Sequence, residues 1–105
     1  MTIYTRLLAT GTPANVYVST GNTAITSLTF CNYSANSVTA NIFVVPAGNT
    51  ATTSNQMWYN LPLTSGDTYQ LYAAAEKILL GPGDTIQANC SANTSVTAIT
   101  SYTSI

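Results

Sequence analysis

The stretch Ser37-Val38-Thr39-Ala40-Asn41-Ile42-Phe43-Val44-Val45 decides the fold, because its residues sort onto two sides. Val38, Ala40, Ile42 and Val44 fall on one face and Thr39, Asn41, Phe43 and Val45 on the other, the period of two that a β-strand imposes. Pro46, Ala47 and Gly48 then end the strand, since proline cannot donate to a ladder.

Working outward, similar strands read from about Asn15 to Ser19 (Val16 and Val18 inward), Ala24 to Tyr33 (Leu28 and Phe30), and Gln56 to Leu63 (Met57, Tyr59 and Leu61). Further strands follow from about Asp67 to Ala73, Lys77 to Leu80, Thr85 to Ser91 (Ile86, Ala88 and Cys90), and Thr94 to Tyr102 (Val96 and Ala98). Turn residues separate them at Thr20-Gly21-Asn22, Ser34-Ala35-Asn36, Ser65-Gly66-Asp67, Gly81-Pro82-Gly83-Asp84 and Ser91-Ala92-Asn93. The stretch from Asn49 to Asn55 reads as a longer, mobile hairpin loop. Helix formers are sparse, and Ala73-Ala74-Ala75-Glu76-Lys77 is the only local helix candidate, with room for one turn. The expectation is therefore an all-β chain, an antiparallel β-sandwich of jelly-roll or Ig-like kind with seven to eight short strands. At 105 residues it forms a single domain, residues 1–105, with Met1 to Thr12 read as a short polar N-terminal arm reaching a neighbour.

Composition narrows the function. Charged residues make up 5% of the chain where about 25% is usual. Neutral polar residues replace them, with Ser, Thr and Asn together at roughly 37%. Only Arg6, Asp67, Glu76, Lys77 and Asp84 carry charge, so no basic stripe exists to neutralise phosphates, and nucleic acid is not an expected partner. No stretch approaches the roughly 20 apolar residues of a membrane-spanning helix, and no secretion signal is visible at the N-terminus. A net charge of -1 leaves little repulsion between copies, a composition that favours association.

The chain contains no histidine, which removes the commonest general base, the usual nucleophilic triads and the commonest metal ligand. Asp67, Glu76 and Asp84 are the only carboxylates, and a two-acid glycosidase would need two of them to converge. Asp67 and Asp84 each follow a glycine in a turn, where aspartate bonds to nearby backbone N–H groups, so the turn role is the expectation. Cys90 is in phase with Ile86 and Ala88, whereas Cys31 is out of phase with Leu28 and Phe30. Opposite facing favours free thiols; an inter-sheet disulfide is the alternative if bulges reverse the phase. Two thiols cannot build a four-ligand zinc site, and Gly81-Pro82-Gly83-Asp84 lacks the lysine of a phosphate loop, so no metal or cofactor is expected. Asn32, Asn89 and Asn93 begin Asn-x-Ser/Thr sequons, which a chain this rich in those residues produces by chance. The aromatic residues Trp58, Tyr59, Tyr69 and Tyr72 are the remaining candidates, read as core or protein interface, with a platform for sugar as the alternative.

Several segments taken as a series carry a resemblance: Val16-Tyr17-Val18, Asn22 to Asn32, and Ile42-Phe43-Val44-Val45-Pro46-Ala47-Gly48. Leu61-Pro62-Leu63, Ser65-Gly66-Asp67-Thr68-Tyr69, Leu79-Leu80-Gly81-Pro82-Gly83-Asp84-Thr85-Ile86 and the ending from Val96 to Ile105 extend it over most of the chain. Together they resemble small virion structural proteins of tailed bacteriophages. The resemblance implies a non-enzymatic, all-β subunit used as capsid decoration (cement), neck or tail accessory, in contact with copies of itself and with major capsid, portal, neck or tail proteins. It also implies a place in the virion after assembly in the host cytoplasm and no catalytic residue; nucleic-acid, membrane and small-molecule partners are not expected. A host-surface glycan module on a tail or fibre is the alternative expectation.

Overall fold

The computed structural model describes residues 2–71, 78–93 and 95–105, and these build two antiparallel sheets packed face to face. The strands are β1 (Thr2–Leu7), β2 (Ala14–Val18), β3 (Thr23–Asn32), β4 (Val38–Val45), β5 (Gln56–Leu63), β6 (Thr68–Leu71), β7 (Ile78–Leu80), β8 (Thr85–Cys90) and β9 (Val96–Ser104). One sheet runs β1-β9-β3-β6, with β7 also on β3; the other runs β2-β8-β4-β5. Because β6 pairs with Leu28 to Cys31 and β7 with Thr23 to Ile25, these two short strands lie in series along one side of β3. The β4–β5 hairpin keeps the chain in one sheet, whereas β1–β2, β2–β3, β3–β4, β5–β6, β7–β8 and β8–β9 each carry it across to the other.

The sandwich is the expected one, but it has nine strands rather than seven or eight. The additional strand is β1, in the segment expected to be an arm: Thr2 to Leu7 pair without interruption along Tyr102 to Thr97 of the same chain. All of Ile3 to Leu7 are exposed, so the strand lacks the alternation that marks one with a fully buried face. The helix candidate at Ala73 to Lys77 lies outside the described residues.

The core draws on the inner faces of both sheets. Leu28 and Phe30 from β3, Val96 and Ala98 from β9, Ile86, Ala88 and Cys90 from β8, and Ala40 and Ile42 from β4 are all buried in one cluster, as their alternation requires. Each large aliphatic or aromatic side chain so buried contributes about 2 kcal/mol relative to exposure.

Bulges break the alternation at two places where it misleads. The register of β2 shifts between Asn15 and Tyr17, so Val16 and Tyr17 are both buried while Val18 is 43% exposed rather than inward. On β5 the pairing with β4 shifts twice, and Asn60 adopts φ 52°, a left-handed conformation that asparagine tolerates better than most residues. Leu61 keeps its inward place, Met57 is half-buried against the core, and Tyr59 is turned out to 73% exposure. On β4, Phe43 and Val45 are buried as well as Ile42, outside the main cluster. The loop after β4 is organised by its own asparagine: the Asn55 side chain donates to the Thr50 carbonyl at 2.9 Å and accepts from the Thr52 N–H at 2.9 Å.

One buried polar side chain ties the two sheets. Asn32, at the end of β3 and fully buried, donates through Nδ2 to the Leu63 carbonyl of β5 at 2.9 Å and to the Asn36 carbonyl at 2.8 Å. Its Oδ1 accepts from the Ser34 N–H at 3.0 Å and the Ser34 hydroxyl at 2.7 Å. Thr100 is the opposite case, a core hydroxyl with no hydrogen-bond partner among the described residues. Asn32→Ala should therefore lower unfolding free energy by about 3 kcal/mol, whereas Thr100→Val should raise it by about 1 kcal/mol, since only the first strands satisfied partners. Urea unfolding followed by tryptophan fluorescence reads both, and equal effects of the same sign would contradict the assignment.

Candidate functional site

The aromatic residues singled out from the sequence do not gather on one surface. Trp58 on β5 and Tyr69 on β6 meet edge to face, with ring centroids 6.1 Å apart and planes at 67°. Trp58 is half-buried against the core, so the pair closes the seam where the outer strands of the two sheets face one another. Tyr59 is separated from them by the β5 bulges, where the Asn41 side-chain oxygen accepts the Asn60 N–H at 2.9 Å and holds the irregular backbone. Tyr72 lies outside the described residues.

The carboxylates are likewise apart. Asp67 sits in the β5–β6 corner, where the Thr64 hydroxyl donates to its carboxylate and its own N–H donates to the Thr64 carbonyl at 2.9 Å. Asp84 accepts the Gly81 N–H at 2.8 Å and the Ala47 N–H at 2.9 Å, binding the β7–β8 turn to the end of β4. The first corner adjoins Asn32 and the second adjoins Ser19 and Val45, so the two acids occupy opposite ends of the sandwich. Both do what turn aspartates do, and they cannot share a substrate. Glu76 lies outside the described residues. Among the described residues no group of three or more His, Cys, Asp or Glu side chains is placed to hold a metal ion, and no helix is long and apolar enough to cross a membrane.

Cys31 and Cys90 are free thiols. Cys90 points into the core with Ile86 and Ala88, and Cys31 faces out of the other sheet, half-buried. Burial pushes the Cys90 thiol up from its ordinary value, because a thiolate would have to form away from water.

Sequence reading passed over a cleft on the opposite side of the sandwich. Tyr17 of β2 is the centre of an aromatic trio, 4.5 Å from the ring of Tyr102 on β9 and 6.1 Å from that of Tyr4 on β1. The rings form one wall of an open cleft of about 410 Å³, and Val18, Asn22 and Ile105 help to form the rest. The bulge in β2 creates it, turning Tyr17 inward and Val18 toward the opening. Its rim is the Thr20-Gly21-Asn22 turn, fixed because the Ser19 and Thr23 hydroxyls both donate to the Gly21 carbonyl, and Ile105 N–H donates to Asn22 at 3.0 Å. No charged side chain lines it among the described residues. The three tyrosines are far apart in sequence and meet only through sheet order, so no local pattern announces them. Compared with protein-family models, curated proteins and solved structures, the chain matches none.

Around the cleft the chemistry on offer is that of neutral contact: hydroxyls, amides and aromatic rings. The two thiols differ in a way that can be measured. At neutral pH an alkylating reagent should modify Cys31 at least tenfold faster than Cys90, and Cys90 should gain reactivity only above the usual thiol range, because its raised value keeps the proton on. Peptide mapping after timed labelling reads the ratio; equal rates in the folded chain would refute the buried placement.

Proposed function

We propose that the chain is a non-enzymatic structural subunit of a tailed-phage virion, a capsid decoration (cement) or neck accessory protein that stabilises the particle through symmetric protein contacts. The observation that carries this reading is the strand order. With β6 and β7 counted as one divided strand on the edge of β3, the sheets β1-β9-β3-β6 and β2-β8-β4-β5 have the order of an eight-stranded jelly roll. Jelly rolls serve in viral capsid and lectin domains, so the support is an analogy of fold. Surface chemistry points the same way. Arg6 is the only charged residue in any described strand, so both broad faces are neutral. The outer face of the β4–β8 sheet carries an amide row in which Asn41 Nδ2 donates to Asn89 Oδ1 at 2.9 Å, and covering such a face with a neighbour costs no desolvated charge. Exposed Ile3, Leu7, Tyr59, Leu79 and Ile105 supply apolar anchors of the kind interfaces use.

Under this reading the partners are other virion proteins and further copies of the chain, and the protein resides in the particle. Quantitative mass spectrometry of purified virions from a genome carrying this gene should find copies in the tens to hundreds, in a ratio to the major capsid protein or portal set by symmetry. A chain absent from washed particles would end the proposal.

A second reading, a host-surface glycan module, is favoured by the tyrosine cleft rather than by Trp58. Uncharged hydroxyl and amide groups around aromatic rings suit a neutral sugar, which binds through ring stacking and hydrogen bonds. On a glycan array the chain should then retain a neutral oligosaccharide and lose at least tenfold in affinity on Tyr102→Ala, with Trp58→Phe unchanged; no binding to any neutral glycan would remove this reading.

A further inference from the structure

The edges of the two sheets are not equally protected. On β5, Pro62 lacks an N–H, Asn60 is left-handed and the register shifts twice. Along the β6 and β7 side the described strands span 4 and 3 residues. The edge strand β2 is interrupted by its bulge between Asn15 and Tyr17. Short, bulged or proline-bearing edges resist pairing with another chain. β1 has none of these devices: its 6 residues keep one register along β9, without proline, bulge or positive φ.

Which groups this edge offers follows from one hydrogen bond. Leu8 N–H donates to the Val96 carbonyl of the β9 strand at 2.9 Å, and in an antiparallel pair successive residues point their main-chain groups to opposite sides. Arg6 and Tyr4 therefore turn theirs toward β9, whereas Ile3, Thr5 and Leu7 each present an N–H and a C=O to the open side. The side chains sort with the same alternation. Tyr4 meets Tyr17 of the other sheet, so Tyr4 and Arg6 lie on the inner side, and Ile3, Thr5 and Leu7 lie on the outer face.

We propose that β1 is a homotypic joint, pairing antiparallel with β1 of a second copy about a two-fold axis through Thr5. The occupant is a second copy because the strand is complementary to itself. With Thr5 opposite Thr5, the three residues carrying outward main-chain groups face each other and exchange their bonds. Ile3 then lies opposite Leu7 on the outer face, joining two side chains that are 65% and 47% exposed in the single subunit. On the inner side Arg6, the only cation among the described residues, lies opposite Tyr4, a pair close enough for a guanidinium to meet an aromatic face. Centring the axis on Arg6 would oppose two guanidinium groups, and centring it on Tyr4 would leave Ile3 against Thr5, so charge and shape select Thr5. The joint is isologous and joins two β1-β9-β3-β6 sheets into one. It rests on the reading of the chain as an assembly subunit and names the partner and the contact.

Sedimentation of the full chain should show a reversible dimer. Thr5→Pro deletes the central outward N–H and leaves every bond to β9, so association should weaken at least tenfold with the subunit's thermal midpoint preserved. Arg6→Glu, which alters no main-chain group, should weaken association as well. In a Cys31→Ser background, Thr5→Cys should form a covalent dimer on mild oxidation or with a short bis-maleimide, whereas Ile3→Cys alone should not and Ile3→Cys combined with Leu7→Cys should. A parent chain that stays monomeric at millimolar concentration, a dimer indifferent to both Thr5→Pro and Arg6→Glu, or linking by Ile3→Cys as readily as by Thr5→Cys would each overturn the joint. Particle counting separates the two claims. A chain that pairs through β1 yet never enters virions overturns the virion reading alone, and one that is incorporated but monomeric overturns the joint alone.

Discussion

Asn32 holds the sandwich where β3 leaves it. Its main chain still belongs to the first sheet, opposite Val96, while its side chain bonds to Leu63 in the second. Its carbonyl accepts the Gly66 N–H at 3.0 Å and its N–H donates to the Asp67 carbonyl at 2.9 Å, so the corner between β5 and β6 is fastened to the same residue. A buried amide with every group paired is worth more to a structure than its individual bonds suggest, because losing any one of them leaves a buried group unsatisfied. In a chain whose two cysteines are free, this network does the cross-linking.

At the other end of the molecule a comparable arrangement uses a carboxylate. Asp84 receives N–H groups from its own turn and from Ala47, and its carbonyl accepts the Ser19 N–H at 2.9 Å. Turns from three inter-strand connections thus meet at one residue, and the rim of the tyrosine cleft begins one residue later, at Thr20. The rim of the cleft is fastened to this end by hydrogen bonds. Both carboxylates among the described residues, Asp67 and Asp84, are thus spent on closing corners.

Much of the architecture was legible because most strands obey the simplest pattern. Ile86, Ala88 and Cys90 on β8, Val96 and Ala98 on β9, and Leu28 and Phe30 on β3 alternate and are buried. The turns were marked by glycine, asparagine and aspartate. What escaped were departures from a period of two. The β2 bulge exchanges the places of Tyr17 and Val18, and the shifts on β5 part Tyr59 from Trp58. A bulge is specified by a register that depends on the neighbouring strand, so the strand carrying it does not reveal it. β1 was hidden for a different reason: none of Ile3 to Leu7 is buried, so no strict alternation marks the strand, and Tyr4 reaches Tyr17 only through the order of the sheets.

The turn at Gly83 carries a consequence for how the chain can vary. Its φ is +84°, and a Cβ added there would come within 3.0 Å of the Ala47 Cβ. The two positions lie in different connections and yet share one small volume. A side chain at 83 is doubly opposed, because the backbone there suits glycine and the place a Cβ would take already touches Ala47. A lineage that places any residue other than glycine at 83 is therefore expected to shift the loop around 47 with it.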